Sequence, residues 1–328
     1  MSAVKRRARP ELDAFRPYNF FIDRERAEYG EVISVATVFL TNRECPWRCI
    51  YCDLWKNTLT ETVPLGAIPA QIDFAWAQLW TDELRGAHSD RSGTRGTCPS
   101  DVKQIKLYNA GSFFDPKAIP PEDFPAIAER VQYFERVIVE CHPALVKDSA
   151  VQFRDLLAGV KLEVAMGLEV ADDEILAKLN KRMTLEIFAR AAEFLRKHDI
   201  ALRAFIIIRP PFVRSDEEAL TLARRSIDFA FDRGATVVSL IPARFGTEEL
   251  NVLAARGDFA TPRIDTLEAA SEYGVTLQRG RVFADLWDLE KFSTCSNCFK
   301  QRRERLNQMN LKQSAPPRVS CAVCPCGT

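Results

Sequence analysis

The chain has 328 residues, 47% of them hydrophobic, which is enough to bury a substantial core and too many for one small domain. Its 45 basic and 45 acidic side chains cancel, which argues against a broad basic face for nucleic acid but leaves local basic clusters open. The opening MSAVKRRARPELDAF has no apolar stretch after its basic residues, and no run of about 18 apolar residues occurs anywhere, so neither a secretory signal nor a membrane span is expected and a cytoplasmic location follows.

In chain order, VISVATVFL (32–40) is the first apolar, β-branched run and predicts a buried strand. It leads straight into TNRECPWRCIYCDLW (41–55), which holds Cys45, Cys49 and Cys52 in the spacing C-x3-C-x2-C. Ile68, Ile72, Ala75, Trp76 and Leu79 then share one face at helical spacing. The stretch GAHSDRSGTRGTCPSD (86–101) has loop composition. Further strands are expected at 102–110, 136–141, 161–170, 202–210 and 235–243. Helical patterns separate them at 121–134, 184–198 and 215–234, with Thr184 and Ser215 as N-caps and Gly234 as a terminator. Strands alternating with helices imply parallel βα units, closed into a full or partial barrel or laid out as an open doubly wound sheet. In either arrangement the reactive groups gather at the carboxyl ends of the strands, where the cysteine loop begins.

Ten cysteines in a cytosolic chain point to metal or redox chemistry rather than to a disulfide scaffold. Three thiolates leave a structural zinc one ligand short. A 4Fe-4S cluster bound by three thiolates keeps one iron open to a small molecule. C-x3-C-x-aromatic-C, with Tyr51 before Cys52, resembles the signature of the radical S-adenosylmethionine (SAM) superfamily. The resemblance implies a partial (β/α)6 TIM-like barrel, a cluster held by Cys45, Cys49 and Cys52, and SAM chelated at the open iron. It further implies reductive cleavage of SAM, hydrogen abstraction from a substrate, and an electron donor such as a flavodoxin or ferredoxin.

The same resemblance suggests SAM-binding positions. Ala110, Gly111 and Ser112, in KLYNAGSFFDP, match the family's Gly-Gly-Glu-like motif but carry no carboxylate at the third place. Small residues there still allow the backbone to approach a ligand closely. Glu169, in AMGLEV, is placed to accept from the ribose or ammonium of SAM, or is a plain surface carboxylate. Lys181 or Arg182 is placed to reach its carboxylate, and Arg209 faces either the strand-end cleft or solvent. The core, over residues 30–245, is similar to that of the Elongator catalytic subunit, MiaB and NifB. The segments KLYNAGSFFDP, VIVECHP, LEVAMGLEV and DLWDLEKFSTCSNC look closest to the archaeosine-biosynthesis branch, which implies a modified tRNA base or related precursor as substrate.

Past residue 288 the pattern changes. Cys295-x2-Cys298 and Cys321-x2-Cys324, with a 22-residue spacer, form two paired knuckles for zinc or an auxiliary iron-sulfur cluster, with Cys326 as a substitute ligand. FKQRRERLNQ, with Lys300, Arg302, Arg303 and Arg305, reads as a solvated helix face partly balanced by Glu304; gripping phosphate is the alternative, to which KRRAR (5–9) adds. Cys141 and His142 are adjacent on a strand and so face opposite sides, which leaves Cys141 a small buried hydrophobe. Asp285 and Asp288 are placed either to approach a substrate or to cap turns. The expected organisation is an N-terminal extension (1–29), a radical SAM core (30–287) and a cysteine-rich metal-binding region (288–328). The competing function is a non-catalytic zinc or iron-sulfur protein that binds RNA or a protein partner. A thiol–disulfide oxidoreductase is a third, disfavoured because the first motif has three cysteines.

Overall fold

The computed structural model describes residues 11–86 and 102–324. The basic cluster at 5–9, residues 87–101 and Cys326 therefore lie outside the described residues. All six expected strands are present, flanked by one more at each end. In order the elements are β1 (Asn19–Arg26), β2 (Val32–Leu40), α1 (Ala67–Gly86), β3 (Val102–Asn109), α2 (Phe124–Val131), β4 (Arg136–Glu140), α3 (Asp148–Leu156), β5 (Lys161–Glu169), α4 (Asp173–Lys178), α5 (Leu185–Lys197), β6 (Ala201–Ile208), α6 (Asp216–Asp232), β7 (Val237–Pro242), α7 (Glu248–Ala255), α8 (Ile264–Thr276), β8 (Arg281–Ala284) and α9 (Ser296–Lys312). The strands form one sheet in the order β1 to β8. β1 runs antiparallel to β2, and β2 through β8 are parallel, so the sheet is a partial parallel barrel.

Local chemistry sets the helix ends as expected. Thr184 accepts the Ile187 N–H at 3.3 Å and Ser215 the Glu218 N–H at 3.1 Å, which satisfies orphan donors at the starts of α5 and α6. Gly234 ends the last turn after α6 at φ +89°, a conformation that costs glycine little.

Side-chain alternation divides each strand between two environments. Ile105 and Leu107 of β3, Val137 and Val139 of β4, Val164 and Met166 of β5 and Ala204 and Ile206 of β6 join the core beneath the helices. The intervening residues face the lumen. At its lower end the lumen is ionic. Glu163, fully buried, accepts from Arg203 at 2.7 Å and pairs with Arg136 at 3.4 Å and Arg281 at 3.8 Å. Glu25 of β1 bonds Arg203 at 3.1 Å and also holds Lys106. Burial alone would raise the carboxyls of Glu25 and Glu163, but the cations around them together outweigh it, Arg203 foremost with Lys106 at Glu25 and with Arg281 and Arg136 at Glu163, and hold both below the ordinary range.

No backbone ladder joins β1 to β8 among the described residues; side chains bridge them. The rings of Phe21 and Trp287 lie 5.5 Å apart, and Arg281 donates to the Arg26 carbonyl at 3.0 Å. α9 covers this seam. Asn310 exchanges two hydrogen bonds with the backbone of Ala284, at 2.8 and 2.9 Å, and Gln313 does the same with Val282, at 2.7 and 2.9 Å. Two side-chain amides thus satisfy the free edge of β8 and block its pairing with another chain. No helix among the described residues is long and apolar enough to cross a membrane.

Glu163→Gln should lower stability at pH 7 by about 3 kcal/mol, because it removes the charge that compensates buried guanidinium groups. The two depressed carboxyls contribute stability that is complete above the unfolded carboxylate pKa of about 4.3 and is lost as pH falls below it. Urea unfolding across a pH series should therefore show a shallower acid loss for the variant than for the parent.

Candidate active site

The cysteine loop is fixed from three sides. Thr41, fully buried where β2 ends, exchanges backbone hydrogen bonds with the Gln71 amide of α1 at 2.8 and 2.7 Å. Next to α4, Ile50 donates to the Leu179 carbonyl at 3.1 Å and Asn180 to the Arg48 carbonyl at 2.7 Å. Before α7, Thr247 donates to the Ile50 carbonyl at 2.7 Å and Lys56 to the Gly246 carbonyl at 2.6 Å. Burial pushes the Cys45 thiol up to about 11 and the Cys52 thiol up to about 12, and raises Cys49 too. These sulfurs also raise one another by charge, so they share one small region. Among the described residues only the C-terminal cysteines bring all their ligand atoms within 4.8 Å of one another. The looser set at the first loop suits a cluster that spreads its thiolates over separate irons, and bound metal would displace the protons that burial favours.

The strand ends facing this loop are small or polar. A Cβ on Gly111 would lie 3.7 Å from the Cys45 Cβ and 3.6 Å from the side-chain nitrogens of both Asn42 and Asn109. Both side-chain polar atoms of Asn109, and the Asn42 Oδ1, are buried with no hydrogen-bond partner in the protein. Unpaired buried amides are costly unless a ligand meets them. Beside three thiols and a glycine, they fit a polar ligand such as the methionine part of SAM. Ala110 is buried next to them, whereas the Ser112 hydroxyl is engaged, accepting the His142 N–H at 2.9 Å.

Glu169 ends β5 at φ +64°, just past a register shift between Gly167 and Glu169. The irregularity aims Glu169 back into the lumen. Its carboxylate takes the Lys181 ammonium at 2.5 Å. A Cβ on Gly167 would come within 2.6 Å of that ammonium, so the pair lies across the glycine. Burial pulls the Lys181 amine down, but the charge and hydrogen bond of Glu169 together with the Cys49 and Cys52 sulfurs outweigh it, and the net shift is upward. The Tyr51 hydroxyl is in hydrogen-bond reach of both Cys49 and Glu169, which links the cysteine loop to β5. Lys181 is thus the inward-facing member of the Lys181–Arg182 pair; Arg182 is exposed and bonds Asn180 at 2.9 Å. Arg209, at φ +56° after β6, spends its terminal N–H groups on Asp216 and on the Arg214 and Thr261 carbonyls.

Trp47, Phe39, Tyr108, Phe205 and Glu140, which sequence reasoning did not single out, belong here, together with His142. The Trp47 ring stacks on His142 at 4.0 Å and 9°. His142 Nδ1 accepts the Ala144 N–H, so Nε2 donates to the Lys181 carbonyl at 3.0 Å. Burial, then the Lys181 charge, pushes its pKa down to about 4 and keeps the ring neutral. Above the ionic floor the lumen is aromatic: Tyr108 and Phe205 meet across it at 5.9 Å, and Phe39 lies 6.1 Å from Tyr108 and 6.2 Å from Trp287. All three lumen rings are half-buried while their helix-facing neighbours are fully buried, so this face is open to a substrate. Glu140 sits at the same level; burial pushes its carboxyl up to about 8. Arg244 pairs with Asp285 at 2.8 Å and donates to the Trp287 carbonyl at 2.5 Å, fixing the rim. Asp288 pairs with Lys291 at 2.5 Å.

In the tail, Cys295 and Cys321 bring their sulfurs to 3.9 Å, and Cys298 and Cys324 to 3.6 Å. The four can hold a metal. The solvated basic face expected beside them is corrected by the structure. Arg302 and Arg305 are buried, Arg302 against Glu268 and Arg305 against Glu272 at 3.1 Å, so α9 spends two of its guanidinium groups on α8.

No family model matches the chain. Archaeosine synthase subunit beta of Methanosarcina acetivorans is 27% identical over 232 residues, covering 68% of this chain and 66% of that protein. The protein of the same name from Thermococcus kodakarensis is 29% identical over 159 residues, covering 45% of this chain and 47% of that protein. The matches thus span less than two thirds of these relatives. Among solved structures, Elp3 of the archaeon Methanocaldococcus infernus superposes with a TM-score of 0.50 at 15% identity, over 75% of this chain and 59% of that one. The fold is the partial barrel of the radical SAM type, and the chain is distantly related to archaeosine synthase subunit beta.

Lys181→Met should cost about 3 kcal/mol in urea unfolding by leaving Glu169 buried without its partner, and Lys181→Met combined with Glu169→Leu should recover most of the loss. A double variant whose loss equals the sum of the losses of Lys181→Met and Glu169→Leu measured singly would show that the pair is not coupled.

Proposed function

We propose that this protein is a radical SAM enzyme that abstracts hydrogen from a substrate held in the barrel lumen. The observation that carries this is the meeting, at the carboxyl ends of β2 and β3, of the three-cysteine loop with Gly111, the unpaired amide of Asn109 and the unpaired Oδ1 of Asn42. Cys45, Cys49 and Cys52 would hold the 4Fe-4S cluster. Gly111 and the amides of Asn42 and Asn109 would receive the polar end of SAM, and Glu169, positioned by Lys181, its ribose or ammonium side. When bound, these groups supply one-electron reductive cleavage and hydrogen-atom abstraction.

The chain's own contribution is placement and shelter. Trp47 stacked on neutral His142 and Tyr51 set beside Glu169 keep the loop in register with β4 and β5. Phe39, Tyr108, Phe205 and Trp287 keep bulk water off the reacting region and offer flat apolar faces to a ring. Glu140, whose carboxyl is raised toward neutrality, offers an O–H to a substrate acceptor near pH 7. The lumen suits a planar substrate, and relatedness to archaeosine synthase subunit beta favours a modified tRNA base or a precursor of one. A flavodoxin or ferredoxin would deliver the electron.

Protein purified without oxygen, reconstituted with iron and sulfide and given dithionite and SAM, should release 5′-deoxyadenosine, and Cys49→Ala should lower that rate at least a hundredfold. An undiminished rate in the variant, or no SAM cleavage by the parent once its cluster is present, would overturn the assignment.

A further inference from the structure

The sequence left the tail site open between zinc and an auxiliary cluster; sulfur spacing separates them. Four thiolates around one zinc, with Zn–S bonds of about 2.3 Å and tetrahedral angles, lie about 3.8 Å apart. A 4Fe-4S cube binds each thiolate to a different iron and spreads the sulfurs to roughly 6 Å. Here the cross pairs Cys295–Cys321 and Cys298–Cys324 stand at 3.9 and 3.6 Å, and all four sulfurs lie within 4.8 Å of one another. The set is already at single-ion size.

We infer that Cys295, Cys298, Cys321 and Cys324 hold one tetrahedral zinc ion that pins α9 across the seam between β1 and β8, and that the tail carries no electron-transfer cluster. The position of the site gives it this task. Cys295 and Cys298 stand at the first turn of α9, whose far end provides Asn310 and Gln313 to the β8 backbone. On the other flank of the seam, Arg26 of β1 donates to the Leu311 carbonyl at 3.5 Å. The chain then returns along α9, where Arg305 donates to the carbonyls of Pro316 and Pro317 at 3.0 Å, and delivers Cys321 and Cys324 to the starting point. Residues 314–324 form no helix or strand and are mostly exposed, so little apolar burial holds them. Metal bonds supply what the missing core does not. Because α9 seals β8, the ion stabilises the barrel edge beside Trp287 from a distance. This inference does not depend on the proposed activity.

The test uses the full chain carrying Cys45→Ser, Cys49→Ser and Cys52→Ser together, purified without oxygen, beside the parent. The triple variant should contain about one zinc per chain and neither iron nor acid-labile sulfide, before and after reconstitution. Cobalt(II) exchanged into it should show the visible bands of tetrahedral thiolate coordination. Removing zinc from the parent with a chelator should accelerate hydrogen exchange at the Val282 and Ala284 amides at least tenfold while β3 to β6 stay protected. Iron with sulfide in the triple variant, or no metal at all, would overturn the zinc assignment. Zinc whose removal leaves the β8 amides unchanged would overturn its pinning role. A parent that takes up zinc but never iron would refute the radical SAM proposal and leave the zinc inference standing.

Discussion

Glu163 is the charge on which the barrel depends. A curled parallel sheet turns half of its side chains inward, and near the amino ends of the strands that interior is lined by charged side chains rather than by hydrocarbon. Arg136, Arg203 and Arg281 enter it from β4, β6 and β8, and one fully buried carboxylate on β5 draws them together. Glu25 does the same from β1, through Arg203 and Lys106. Long flexible cations pinned to fixed acids fill the floor and set how far the sheet curls. Such networks are poor sources of net stability against an apolar alternative, yet breaking one side is expensive.

Above that floor the interior changes character in layers. Tyr108 and Phe205 meet across it, Phe39 and Trp287 form the wall near the seam, and the strand ends present amides, carboxylates and a lysine. The backbone is strained at this upper level. Glu169 and Arg209, both non-glycine, close β5 and β6 with positive φ, each at a cost of about 1 kcal/mol or more. At Glu169 this conformation, with the register shift before it, directs the carboxylate to Lys181 and Tyr51 instead of out to solvent. At Arg209 it lets one guanidinium gather the loops before α6 and α8. Charge at the bottom gives rigidity; orphaned amides and half-exposed rings at the top leave room for a ligand.

The tail shows how one helix serves several purposes. α9 carries two cysteines at its start, two buried arginines along its inner face and two amides at its end. These fix it respectively to the return segment, to α8 and to β8. A basic, cysteine-flanked helix invites a nucleic-acid interpretation, but Glu268 and Glu272 of α8 neutralise the two arginines before solvent can see them.

By itself the sequence determined most of the elements and the clustering of the thiols. Six strands, the helices α1, α2, α5 and α6 and the caps at Thr184 and Ser215 were legible because burial and capping are local patterns with fixed periods, whereas the short α3 and α4 were not expected. The three-cysteine loop and the paired tail knuckles were legible because thiolate ligands cluster in short spacings. The strands β1 and β8 were not, since the half-exposed NFFIDRER and the four-residue RVFA carry no periodic signal. Only the tertiary structure decided which charges are buried, because Arg302 in a basic run and Arg203 in an apolar strand find their acids on elements far along the chain. It alone set Asn42 and Asn109 side by side over Gly111, and Trp47 upon His142. Such pairings join residues whose separation along the chain is arbitrary, so they leave no trace in spacing; curvature of the sheet brings them together.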